Sequence, residues 1–451
     1  MVSGAATLSG FASNIYFPAI PAVSTDLSVS TELINLTITC YMIFQGLSPT
    51  LWSALSDVKG RRITYLSTLA VFVGACIGLA LTRHYAQLVV LRCLQSTGSA
   101  STIAIGAGVV GDITTREDRG GYMGFFQAGL LLPVAIGPVL GGALAGTLGW
   151  KSIFWFLAIY GAIFFVVLLL ALPETLRSLV GKGSLPVTGI AKSPLASLQR
   201  RRHDVEKEVI LSTEQPTSSP SKKIDLLGPV RILTSKSAIF AILFVAAHYT
   251  TWQMVLTATS TLFTQAYHLT ETRTGLIFLA NGIGSIIGTA STGKILDYDF
   301  RHLQRQSEAS GTEVPLESAR LRTVFIWSAL QCASILVFGW TIDKRAHISA
   351  PIIGMFVLGW AAISIQSVVS TFLVDLYPKQ SASATAALNL VRCLVGAGGT
   401  AVVGPLIARI GTGWTFTILA VLMLASSGLV VAQMVCGRRW RREVKARQND
   451  K

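Results

Sequence analysis

Apolar residues in this chain fall into twelve long runs separated by short polar joints: 2–23, 33–55, 63–82, 86–110, 121–147, 152–172, 237–264, 274–296, 323–342, 349–373, 382–408 and 413–436. Each comes close to the roughly 20 apolar residues that a helix needs to cross the hydrocarbon layer. Helices are the expected form, because lipid offers no partner to exposed backbone polar groups. The strict alternation of a membrane barrel is absent from the sequence. The pattern therefore predicts an all-α polytopic membrane protein, with twelve transmembrane helices in two pseudo-symmetric six-helix bundles. Spans are numbered 1 to 12 below.

Three segments break the pattern. Residues 173–235 are rich in Ser, Pro, Lys and Arg and are expected to be a flexible cytosolic linker. The insert 299–321 is expected to lengthen the loop after span 8. The segment 438–451 is expected to be a basic cytosolic tail, either a topological anchor or a contact for anionic lipid. The expected domains are thus a bundle over 1–172, the linker, a bundle over 236–437, and the tail.

Composition changes this picture little. The chain is 51% hydrophobic and only 13% charged, far from a soluble globular protein. Its net charge of +15 first suggests nucleic acid, but the distribution says otherwise. With the N-terminus inside, most of the 37 basic residues fall in the cytosolic joints, the linker and the tail. The outer joints hold only Arg83, Lys151, Arg273, Lys344, Arg345 and Arg409. This positive-inside bias predicts that both termini are cytosolic, and it leaves no nucleic-acid partner to explain. The six cysteines lie in or at the ends of apolar runs and have no metal-ligand spacing. The first run begins at once, without a basic n-region or a cleavage site, so no signal peptide is expected.

One joint pattern occurs twice. Ser53-Ala-Leu-Ser-Asp57-Val-Lys-Gly60-Arg61-Arg62 follows span 2, and Gly293-Lys-Ile-Leu-Asp297-Tyr-Asp-Phe-Arg301 follows span 8. Each has an acid at a span end and an arginine four residues on. Spans 4 and 10 exit at the same face with Asp112 and Asp375. The trios Asp57–Arg61–Asp112 and Asp297–Arg301–Asp375 are therefore expected charge clusters that bias the arrangement of the two halves, with Gly60 permitting the turn. The alternative is an ordinary pair of membrane-edge loops. In span 5, Pro138 removes a backbone donor, while Gly137, Gly141 and Gly142 allow close approach of a neighbouring helix. Such a helix either seals the bundle or is simply well packed.

These segments resemble a family. The first joint is similar to the signature loop of the major facilitator superfamily, with Ser53 where that family usually has glycine. Arg92-Cys-Leu-Gln95-Ser-Thr-Gly98 resembles its span-4 motif, and Pro133-Val-Ala-Ile-Gly137-Pro138-Val-Leu-Gly141-Gly142 resembles its exporter motif, with Pro133 in place of the first glycine. Pro18-Ala-Ile-Pro21, Leu172-Pro173-Glu174-Thr175 and the segment from Asp375 to Cys393 extend the likeness to the fungal twelve-span drug:proton antiporter branch, which includes quinidine-resistance and dityrosine transporters. The resemblance implies a carrier that works by alternating access, exports small molecules against protons, and sits in the lipid bilayer, expected to be the plasma membrane. It implies a proton-coupling role for Arg92, no enzymatic activity, no cofactor and no metal, and a functional monomer.

The residues add their own candidates. A central membrane arginine costs at least about 2.5–3.5 kcal/mol on insertion scales. Arg92 reads either as a functional charge or as one that snorkels to the outer face. Arg392, near the midplane of span 11, reads as a cavity residue that attracts an anionic or acceptor-rich substrate. His248 is the mid-span histidine, and reads either as a proton carrier or as a hydrogen-bonded packing residue. No Asp or Glu stands at the centre of a run, so the proton would fall to Arg92, Asp26, Asp112 or His248. Asn14, Tyr16, Gln127, His248, Gln253, Asn281, Gln366, Asn389 and Arg392 are candidates for the substrate cavity, and Gln45 is a further polar residue in span 2. Gly288-Thr-Ala-Ser-Thr-Gly293-Lys294-Ile295 nearly matches a phosphate-binding loop, but lacks the final hydroxyl and lies inside a span. The expected function is secondary export of drugs, fungal metabolites or organic acids. The alternatives are a non-transporting nutrient sensor on a carrier scaffold, and an importer or facilitator.

Overall fold

The computed structural model describes residues 1–114, 119–176, 228–310, 316–377 and 380–449. Among the described residues, ten helices are long and apolar enough to cross a membrane: Arg61–Ala80, Tyr85–Ile113, Gly129–Leu148, Lys151–Ala171, Lys236–Tyr267, Glu271–Leu296, Val324–Asp343, Ser349–Leu376, Ser383–Ile410 and Thr412–Gly437. They correspond to spans 3–12. The first two runs fall short for different reasons. Span 1 is broken into Val2–Asn14, a 3-10 turn Phe17–Ala19 and Ile20–Asp26. Pro18 and Pro21 lack the N–H groups that would carry one helix through, and each piece is too short to cross alone. The irregular backbone at Ile15–Ile20 is buried in protein, where such breaks are tolerated. Span 2, Thr31–Lys59, is long enough but polar, and its Asn35, Thr37, Thr39, Ser48 and Ser56 are buried against other helices.

An even number of crossings puts both chain ends at one face, here the termini face; the opposite one is the far face. The packing repeats. Span 1 packs on 5, span 2 on 4, span 3 on 4 and 6; span 7 packs on 11, span 8 on 10, span 9 on 10 and 12. Adding six to each member of the first set gives the second. The halves meet along two long seams, span 2 against 11 and span 5 against 8, which the same operation exchanges. A twofold-related pair of six-helix bundles is the arrangement that makes both statements true.

Most of the expected linker, residues 177–227, lies outside the described residues, and the other polar segments are largely helical where described. The insert after span 8 is no extended loop: that helix runs on to Ser310, and a short helix Leu316–Leu321 follows. The tail is not a separate element either, because the last helix continues from Thr412 to Asn449. The linker ends in a short helix, Gly228–Leu233, packed on span 11. Residues 299–310 and 438–449 are polar but contain no glycine or proline, so there the backbone continues its hydrogen-bond ladder once it has left the lipid.

Candidate functional site

At the termini face, Gly60 holds φ at +105°, which ends span 2 and turns the chain straight into span 3. That turn sends Arg61 back beneath its own helix. Its guanidinium reaches Asp57 at 2.7 Å, Asp112 of span 4 at 2.9 Å and the Ser56 hydroxyl at 3.0 Å. Gly108 makes room: a Cβ there would stand 3.0 Å from the Arg61 guanidinium carbon. The expected first trio is therefore assembled.

A second lock backs it. The buried Glu174 carboxylate accepts from the amides of Arg61 at 2.8 Å and Arg62 at 3.2 Å, capping span 3. Arg62, itself buried, donates to the carbonyls of Leu168, Leu169 and Leu172 at the end of span 6. An anion at one helix N-terminus and a cation at another's C-terminus both complement the helix dipoles. Sequence reasoning saw Glu174 only as part of a motif. The signal was an acid just past a span end, across from a joint whose amides need a cap.

In the second half Arg301 and Asp375 do not pair. Asp375 pairs with Arg320, 2.8 Å away on the short helix Leu316–Leu321, and Arg320 also reaches the Leu296 carbonyl at 3.4 Å. Arg301 is exposed on the extension of span 8 instead. The reason lies three residues after each acid: Gly60 in the first half, Phe300 in the second. Without the glycine the helix runs on and carries Arg301 away. The side chains of Asp297 and Gln127 lie outside the described residues.

In the membrane interior, Arg92 does not snorkel. It is 1% exposed and lies between the rings of Tyr16 and Tyr41, its guanidinium carbon 4.4 Å from each centroid. It donates to Gln95 Oε1 at 2.7 Å and to the Ala12 carbonyl at 3.2 Å. Ala12 lies in the last turn of a broken helix, where carbonyls lack intrahelical partners. The broken first span thus builds part of the cage.

Arg392 lies at mid-depth beside the seam between the halves, half-buried. Its Nη1 donates to Gln366 Oε1 at 2.8 Å, and Nε and Nη2 donate to Asn389 Oδ1 at 3.2 and 2.9 Å. Its guanidinium stands 4.8 Å from the centroid of Tyr249. Among the described residues no carboxylate lies within ion-pair distance of it. Asn389 Nδ2 crosses the seam to the Gln45 carbonyl at 3.3 Å, and Gln45 Nε2 donates to Ser13 Oγ at 3.3 Å. Ser13 in turn donates to the Tyr41 hydroxyl at 3.3 Å. Tyr41 is one wall of the Arg92 cage, so a chain of contacts joins the two arginines. Neither tyrosine wall nor Ser13 was legible as a partner, because ring stacking leaves no spacing rule in the sequence.

The remaining candidates separate cleanly. Gln253 reaches across the seam, 3.7 Å from Met42 Sδ. Tyr16 is buried in the Arg92 cage, and Asn14 bonds back to the Gly10 carbonyl at 2.8 Å. His248 is not at the seam. It is 1% exposed inside the second half, where its ring meets Gln331 Oε1 at 2.9 Å and Ser328 Oγ at 3.4 Å, with Phe244 alongside. Asn281 accepts from Trp252 Nε1 at 2.9 Å and bridges spans 7 and 8. The partners of both lie within the second bundle. Asp26 is at the far face, 2.9 Å from Trp150 Nε1 and 3.9 Å from Lys151 Nζ, with its side chain half in solvent.

Spans 5 and 8 meet closely along the seam: a Cβ at Gly142 would stand 2.5 Å from the Glu271 carbonyl and 3.0 Å from Gly275 Cα, and one at Gly282 would overlap Ala135. Within the first half, a Cβ at Gly141 would overlap the Ile15 carbonyl. Gly137 faces only ordinary contact with Asn14. Pro138 presents its carbonyl to Gly275. Thr39 and Thr400 bond at 3.0 Å, Ser260 donates to the Phe17 carbonyl at 2.6 Å, and the Phe17 and Phe278 rings stack.

Comparison with known proteins gives a consistent result. The sequence matches the family model described as Major Facilitator Superfamily over residues 2–400. It is 38% identical to Citrate exporter 1 of Aspergillus niger, covering 100% of this chain and 88% of that protein. It is 35% identical to the MFS antiporter QDR2 of Candida albicans, covering 91% and 82%. It is also 35% identical to the MFS-type transporter tstD of Talaromyces stipitatus, covering 99% and 83%. Among solved structures, a D-xylose–proton symporter superposes with a TM-score of 0.67 at 14% identity, covering 95% of each chain.

Proposed function

The chain belongs to the major facilitator superfamily, as a secondary transporter that exports small organic molecules, and within that frame we propose that its cargo is an organic acid anion. The observation that carries this reading is Arg392: a half-buried guanidinium at mid-depth, beside the seam, held by neutral oxygens and a ring face and by no described carboxylate. A substrate carboxylate offers that fork an ion pair, which the neutral oxygens of Gln366 and Asn389 do not. The name of the Aspergillus niger relative points the same way.

In this reading residues 1–172 and 236–437 are the two rocking units and one chain suffices. Both termini are cytosolic, by the distribution of basic residues, and the membrane is the plasma membrane. The contacts of spans 5 with 8 and 2 with 11 correspond to a state closed at the far face. The anion enters from the cytosol and takes the place of Asn389 on Arg392, which loosens the Asn389–Gln45 bond at the seam. Proton coupling runs through Asp112. Protonation there removes half of the Arg61 cluster and frees the termini face to close. Arg92 holds a permanent charge in its cage, and His248 keeps a neutral packing role.

The test is flux in vesicles that contain the purified protein and labelled citrate. Saturable efflux that accelerates under an imposed proton gradient and is inhibited by other di- and tricarboxylates is expected. Citrate binding without flux would identify a sensor, and flux indifferent to the gradient a facilitator. Preference for neutral or cationic drugs over citrate would overturn the anion reading.

A further inference from the structure

The basic residues inside the apolar runs are Arg92, Lys294 and Arg392, and the structure sends them to different places. Arg92 is closed in its tyrosine cage, 1% exposed. Lys294 is exposed near the termini-face end of span 8. Among the described residues, that leaves Arg392 as the cation at mid-depth beside the seam.

The groups around it are polar and neutral. Gln366 and Asn389 hold the guanidinium and Tyr249 covers a face of it. Gln253, one helical turn along span 7 from Tyr249, reaches Met42 across the seam. Gln45 stands opposite on span 2, its carbonyl bonded to Asn389. Each of these three glutamines uses one end of its amide: Gln366 Oε1 accepts from Arg392, Gln45 Nε2 donates to Ser13, and Gln253 Nε2 meets Met42 Sδ. The other ends, Gln366 Nε2, Gln45 Oε1 and Gln253 Oε1, have no hydrogen-bond partner among the described residues, and water reaches them. The titratable side chains beside the guanidinium, Tyr249 and Cys393, add no positive charge.

An ionised carboxylate leaves water at a heavy cost unless a cation and hydrogen bonds receive it. Arg392, with Gln366 Nε2 beside it, can receive one. A second would find amide oxygens on Gln45 and Gln253, which repel it. The same oxygens accept readily from a hydroxyl or a protonated carboxyl. We propose that the site takes its cargo as a monoanion, with one ionised carboxylate on Arg392 and every other polar group of the cargo neutral. The proposal rests on the anion reading above and narrows it: a polycarboxylate binds through its singly charged form.

Methyl esters of citrate remove its charges one at a time at constant pH and leave its hydroxyl in place. The purified protein is loaded with labelled citrate, and unlabelled citrate, symmetric dimethyl citrate and trimethyl citrate compete for it. The dimethyl ester, with one free carboxylate, is expected to displace the label about tenfold or more better than citrate. The neutral trimethyl ester is expected not to displace it. Unfolding temperatures measured with the same ligands should follow the same order, and they read binding even where the label is held weakly. In Arg392→Gln the advantage of the dimethyl over the trimethyl ester is expected to vanish. Affinity that rises with each ionised carboxylate, citrate being tightest, overturns the monoanion and leaves the anion reading standing. A trimethyl ester that binds as well as the charged ligands overturns the anion reading, and the monoanion with it.

Discussion

Replacing Arg392 by glutamine tests the anion assignment with the fold as its own control. The change removes the guanidinium that donates to Gln366 and Asn389 and stacks on Tyr249. A hydrogen bond to a charged group contributes about 1.5–3 kcal/mol. At 1.4 kcal/mol per decade, citrate binding should weaken by about 10- to 150-fold. Stability moves little, because two contributions oppose. Losing a mid-membrane charge relieves at least about 2.5–3.5 kcal/mol on insertion scales. Leaving the Gln366 and Asn389 oxygens without their donor costs about 1–3 kcal/mol each where water cannot reach. Arg392→Lys keeps the charge but not the planar fork, so it should fall between the native protein and the glutamine variant. Equilibrium binding of labelled citrate to the purified protein, beside its thermal unfolding, reads both quantities. Native-like citrate affinity in a well-folded glutamine variant would refute the reasoning.

Asp112→Asn breaks the pair with Arg61, so efflux should lose its response to the proton gradient while citrate still binds; vesicle flux at two imposed gradients checks it. His248→Asn disturbs bonds to Gln331 and Ser328 inside one bundle, so it should lower stability by about 1 kcal/mol and leave the pH profile of efflux unchanged. Gly142→Ala drives a methyl into the Glu271 carbonyl and Gly275, an overpacking of about 1–3 kcal/mol at the far-face seam, and should abolish export without unfolding either bundle. Glu174→Ala strips the cap from span 3, and should lower the unfolding temperature in detergent by an amount equivalent to about 1–2 kcal/mol.

Hydropathy made the number and order of the spans legible, because lipid enforces one local rule on every crossing helix. It was least informative where protein replaces lipid. Span 1 reads as one apolar run, yet Pro18 and Pro21 break it, and only the surrounding bundle makes that break tolerable. The repeated acid–arginine joint meets its span-4 acid only in the first half, and the two joints differ in one residue, glycine at 60 against phenylalanine at 300. Arg392 and Asn389 were legible as polar residues deep in a run. Their partners Tyr249 and Gln45, like the Tyr16–Arg92–Tyr41 sandwich, depend on helix rotation about the bundle axis, which periodicity alone does not fix.

The distribution of bond strengths explains why this fold can rock. The short, charge-assisted contacts lie within a half: Arg92 to Gln95 at 2.7 Å, Arg61 to Asp112 at 2.9 Å, Arg320 to Asp375 at 2.8 Å, and Arg392 to Gln366 at 2.8 Å. Among the described residues the polar contacts that cross the seam are between neutral groups: Asn389 to Gln45 at 3.3 Å, Thr39 to Thr400 at 3.0 Å, Thr400 to Met42 at 4.0 Å, Gln253 to Met42 at 3.7 Å, Thr272 to the Gly142 carbonyl at 3.2 Å and Ser260 to the Phe17 carbonyl at 2.6 Å. A neutral hydrogen bond contributes about 0.5–1.5 kcal/mol net, so parting the halves gives up only a few kcal/mol of polar interaction, while deforming either half would break ion pairs or uncap a charge. A ligand moves such an equilibrium only by its differential affinity for the two arrangements. In the proposed anion reading that difference arises at Arg392: it belongs wholly to the second half, yet Asn389, which holds it, is also the residue that reaches across to Gln45. An anion that claimed the guanidinium would then weaken the seam without disturbing the bundle that bears the charge.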